Sequence, residues 1–167
     1  YRNDFKGALK SMETAEDLAK TQDEKEFMKI GFIRVHTMNK ANDKKWLDRA
    51  KDEYDDIVKK NPRSSAAHFF MGKAYKEAYD FNKSGQMFAK VIELKGDYTA
   101  QADSEWNLMQ KIQRALPGTT AGKKIALREK VTRADVAALF IEELKIDVIY
   151  KKKTVKTFDT SFKDPEK

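Results

Sequence analysis

Two histidines, His36 and His68, and no cysteine are all that the chain offers toward imidazole or thiolate chemistry. A pair of metal ligands on one helix needs i, i+3 or i+4 spacing on a common face, and neither histidine has the other within that reach. Both are expected to serve in packing or in a groove. Asp55-Asp56 and Glu142-Glu143 are adjacent pairs, so their side chains diverge around a helix instead of converging as a general acid and base must. Gly72, Gly85, Gly96, Gly118 and Gly122 show no phosphate-loop spacing after a strand. No residue set argues for an enzyme, a metal or a cofactor.

The absence of cysteine also excludes a disulfide framework, without fixing the compartment. The net charge of +7 raises nucleic acid as a partner, because clustered basic residues gain affinity by releasing counterions from phosphates. The cations here are mostly interleaved with acids, as in Lys51-Asp52-Glu53, which is the pattern of a solvated helix face and argues against nucleic acid. Lys151-Lys152-Lys153 is the one tight cluster, equally suited to an anionic wall polymer, a lipid headgroup or RNA. No run of about 18 apolar residues exists, so no membrane-spanning segment is expected. The opening Tyr1-Arg2-Asn3-Asp4 is not a signal peptide.

What must position any site is helix. Three prolines and seven glycines in 167 residues, 37% of them charged, predict an all-α chain with room for one sizeable core and a small appendage. Leu47, Ala50, Tyr54, Ile57 and Val58 match Phe81, Ser84, Phe88, Val91 and Ile92 in size class at an offset of 34 residues. Met71, Gly72 and Tyr75 on one helix and Ser84, Phe88 and Val91 on the next give the best single unit, from Ser65 to about Tyr98. Gly72 would let the facing helix approach closely and Ser84 would be its small counterpart. In order, spacing and period this resembles a divergent tetratricopeptide repeat, with His68, Val91 and Gly96 departing from the consensus.

Pro62 closes the second helix of the preceding unit, since a proline cannot continue a helix and biases its predecessor out of the α region. Phe5, Ala8, Met12 and Ala15 suggest the second helix of a still earlier repeat, and Tyr98 to Leu116 a capping helix. The resemblance implies a helical-hairpin solenoid over residues 1–116 whose groove takes an extended peptide of a partner protein. Registering the repeats at Gly31, Ser65 and Thr99 puts Asn39, Lys73 and Asn107 at equivalent places, flanked by Phe69 and Lys76, where amide and ammonium groups would hold a peptide backbone.

A linker is expected over residues 117–122. Beyond it, Val131 to Phe140 reads Val-Thr-Arg-Ala-Asp-Val-Ala-Ala-Leu-Phe, with Thr132 and Asp135 spaced as a capping pair and Val136, Leu139, Phe140 and Leu144 forming one apolar face. Capping does not demand Arg133-Ala134. The block resembles the closing helix of an S-layer homology module, and Phe158-Asp159 and Phe162 to Pro165 resemble the opening of a following one. For residues 123–167, then, the resemblance implies a partial module in which Arg133 and Asp135 face a cell-wall or periplasmic glycan. The expectation is a non-enzymatic scaffold of the bacterial cell envelope; an intracellular adaptor in the cytoplasm is the alternative.

Overall fold

A computed structural model describes residues 4–151, and every regular element among them is an α-helix. Lys152, Lys153 and the segments at Phe158 and Phe162 lie outside the described residues. The chain divides into two compact units, one ending at Leu116 and the other starting at Pro117.

In the first unit the helices start where short polar side chains satisfy free backbone donors. Helix α1 (Phe5–Leu18) is capped by Asp4, whose carboxylate accepts from the Gly7 N–H at 2.8 Å. Helix α2 (Gln22–Met38) opens on a reciprocal box: Thr21 Oγ1 accepts from the Glu24 N–H and the Glu24 carboxylate accepts from the Thr21 N–H at 2.9 Å. Helix α3 (Trp46–Lys60) stops at Asn61 before Pro62. Ser64 caps α4 (Ser65–Glu77) while donating to Glu26 on α2 at 2.6 Å, so this cap also ties the two helices together. Asp80 caps α5 (Phe81–Leu94). Helix α6 (Thr99–Ala115) is bracketed by Tyr98 and Leu116, both left-handed with φ of 66° and 47°.

Neighbours in sequence pack as neighbours in space, α1 on α2, α2 on α3, α4 on α5 and α5 on α6, and α4 also touches α2 and α3. Ile33, Ala50, Ile57 and Ala67 form the core where α2, α3 and α4 meet. At the α4–α5 crossing a Cβ on Gly72 would lie 2.8 Å from the Phe88 ring, and Ser84 Oγ donates to the Gly72 carbonyl at 2.9 Å. Close backbone approach therefore requires both small residues. His68 is a packing residue. Its Nε2–H donates to the Pro62 carbonyl at 3.1 Å and its Nδ1 accepts from the Tyr54 hydroxyl at 2.9 Å, fastening the turn between α3 and α4.

Helices α4 and α6 begin at Ser65 and Thr99, in keeping with the 34-residue offset, but the Gly31 register is corrected. The Thr21 box starts α2 nine residues before Gly31, which sits mid-helix. In the second unit α7 (Thr120–Ala126) starts inside the stretch read as a linker, because Thr119 caps it by accepting from the Gly122 N–H at 3.0 Å. Helices α8 (Arg133–Glu142) and α9 (Ile146–Lys151) complete the unit's described elements.

Candidate functional site

Of the five residues expected to line a groove, Phe69, Lys73 and Lys76 share α4, whereas Asn39 lies at the end of α2 and Asn107 on α6. Asn39 is the residue just past α2, where its side-chain oxygen accepts from the Asn42 amide at 3.0 Å. Helix α2 ends at Met38, so Asn39 falls past it, whereas Lys73 lies within α4. Phe69 is buried, stacked on Tyr98 with ring centroids 4.7 Å apart and tilted against Phe88 at 5.8 Å. Lys76 is taken up by Glu105 at 2.7 Å, a half-buried pair that bridges α4 to α6. Asn107 donates to the carbonyl of Asp103 on its own helix at 2.9 Å. Lys73 is exposed, its ammonium 5.7 Å from the centroid of the Phe69 ring.

An apolar groove lies instead along α2, between α1, α4 and the start of α6, with a volume of about 370 Å³. Met28, Met38, Phe70 and Tyr98 supply its walls, and Phe27 at its end is 72% exposed. Phe70 is held upright by edge-on contacts with Phe69 and Tyr98, at 5.3 and 5.4 Å. Arg34, also in the wall, places its guanidinium 4.9 Å from the Phe70 centroid. A cation over an aromatic face at an exposed site gains only about 0.5–1 kcal/mol, so the guanidinium keeps its capacity for a carboxylate. Among the described residues neither Arg34 nor Lys73 has an acidic partner. The groove combines aromatic surface, adaptable methionines and uncompensated positive charge, which suits apolar side chains beside an acidic group. Its sequence trace is the run Phe27, Gly31, Arg34 and Met38, spaced for one face of a helix. A repeat register starting at Gly31 cuts through that run and hides it.

In the second unit Thr132 and Asp135 form the expected capping box. Asp135 is buried, with one carboxylate oxygen accepting from the Thr132 N–H and hydroxyl, both at 2.9 Å, and the other from Arg128. The Thr132 donors and the Arg128 guanidinium together hold its carboxyl below the usual aspartate range. Arg133 is exposed and has no partner among the described residues. Glu143 accepts from the Thr119 N–H at 2.8 Å, the Thr119 hydroxyl at 2.7 Å and the Gly118 N–H at 3.1 Å, and so closes α8 onto the start of α7. Of the apolar face read on α8, Val136, Phe140 and Leu144 are 42%, 46% and 59% exposed.

No helix among the described residues is long and apolar enough to cross a membrane. No protein-family model matches the chain, and neither a curated protein nor a solved structure is significantly similar to it.

Proposed function

We propose that the first unit is a tetratricopeptide-like solenoid acting as a non-enzymatic scaffold, and that the groove along α2 receives a peptide of a partner protein carrying apolar anchors and an acidic residue. The groove itself carries this reading: Phe27, Met28, Met38, Phe70 and Tyr98 leave apolar surface uncovered around a guanidinium that has no carboxylate partner among the described residues. Exposed apolar surface rimmed by a charge is the usual mark of an interaction site.

In this proposal residues 123–167 are a partial S-layer homology module that associates with cell-wall or periplasmic glycan, placing the protein in the cell envelope. Glycan contact rests on Arg133, whose fork of donors suits anionic sugar substituents. Asp135 is not among the proposed glycan contacts, because both its oxygens are engaged within the unit; the alternative reading is a cytoplasmic adaptor.

Selection of a phage-displayed random peptide library on the full chain tests the groove. Enriched peptides should share apolar residues flanking an aspartate or glutamate, and Phe70→Ala or Arg34→Glu should abolish the enrichment. The same peptides recovered equally well on both variants would place binding elsewhere.

A further inference from the structure

A second concavity opens on another face of the first unit, between α1, α2 and α3, with a volume of about 320 Å³. It shares no lining residue with the groove along α2, so either can fail without the other. Its walls carry Glu13, Glu16, Asp52 and Glu53 against the single cation Arg49, an acidic surface on a chain of net charge +7. The cations nearby are already engaged. Lys29 lies 2.8 Å from Glu53, 3.1 Å from Asp56 and 3.7 Å from Glu16, and Arg49 bonds Asp43 at 3.2 Å. Glu13 and Asp52 have no cationic partner among the described residues.

Two rings form the inner wall. Phe32 and His36, both buried, stack with centroids 6.4 Å apart and planes inclined by 23°. His36 is 6% exposed and its Nδ1 has no hydrogen-bond partner among the described residues. A buried polar atom left unpaired is destabilising, so a donor brought to it would bind with gain. Burial, aided by the nearby Arg49 charge, lowers the His36 pKa and keeps the ring neutral, hence able to accept.

We propose that this pocket binds the guanidinium of an arginine side chain presented by a partner protein. The chemistry selects that group over other cations. A guanidinium is flat, stacks on aromatic faces and carries five donors, enough for Glu13, Asp52 and the imidazole at once. An ammonium has three donors about a point and is more strongly hydrated. Among the described residues no group of three or more histidines and carboxylates is close enough to hold a metal ion, and calcium serves as the control cation in the test.

The test is a ¹H–¹⁵N NMR titration of the full chain with N-acetyl-arginine amide as the probe. Saturable shifts are expected at Glu13, His36 and Asp52, with the lysine amide clearly weaker. Glu13→Gln combined with Asp52→Asn should raise the arginine Kd about tenfold, since each tenfold step is about 1.4 kcal/mol. Both residues are exposed, so this variant is expected to keep the parent melting temperature. His36→Phe, which keeps the stack but not the acceptor, should also weaken binding, whereas Asp55→Asn outside the pocket should not. Absence of saturable shifts, equal binding by the neutralised variant, or calcium producing the same shifts would overturn the proposal.

Discussion

Gly72 shows most directly how one side chain decides the packing. A Cβ there meets Phe88 at 2.8 Å and Met87 at 3.1 Å, distances at which a core must yield. Gly72→Leu is therefore expected to cost about 2–4 kcal/mol in urea denaturation, from overpacking and the lost helix approach. Lys51→Ala should cost under about 0.5 kcal/mol, because the exposed Lys51–Asp48 pair at 3.4 Å is a surface ion pair. Equal costs for the two would remove Gly72 from the crossing. Tyr54 behaves as a half-buried donor, its phenol pushed up to about 12 chiefly by desolvation. Tyr54→Phe leaves His68 Nδ1 unpaired, and a loss of about 1–3 kcal/mol in the same measurement is expected.

Two carboxylates tie the ends of helices α7 and α8. Glu143 is held below its ordinary pKa by the backbone and side chain of Thr119, then by Gly118, and Asp135 by Thr132 and then Arg128. A carboxyl with a depressed folded-state pKa contributes stability that is fully present above its unfolded value and is lost as the pH falls toward the folded one. The second unit should therefore weaken on acidification below the ordinary carboxylate range, as monitored by amide exchange in α7 and α8. Glu143→Gln should flatten that dependence; an unchanged acid profile would show that Glu143 does not close the pair. Thr132→Ala removes a cap and should cost about 1 kcal/mol locally.

Division of the chain at Leu116 carries its own expectation. The first unit has a buried core running from Phe32 to Ile112, so a fragment ending at Leu116 should melt cooperatively near the temperature of the same unit in the full chain. A fragment that melts without cooperativity would show that the first unit needs residues 117–167 to fold. Anchoring is read on the full chain: it should co-sediment with peptidoglycan sacculi, and Arg133→Ala should reduce that binding. If wild type stays in the supernatant, the adaptor alternative takes over.

Much of the architecture was legible in the chain because it is encoded locally. Pro62 ends α3, Thr132 and Asp135 open α8, and the 34-residue spacing of Ser65 and Thr99 starts α4 and α6, since caps, breakers and apolar period act within a few residues. Even the Thr21-x-x-Glu24 box was present to be read, and with it the true start of α2. What no local pattern contained was the fate of side chains whose partners are distant in sequence. Lys76 is claimed by Glu105, Phe69 by Tyr98 and Phe88, and Glu13 meets Asp52 across a pocket only after α1 and α3 pack on α2. A helical period states which face a residue occupies; which faces meet, and which polar groups are left without a partner, is decided by the packing of helices tens of residues apart.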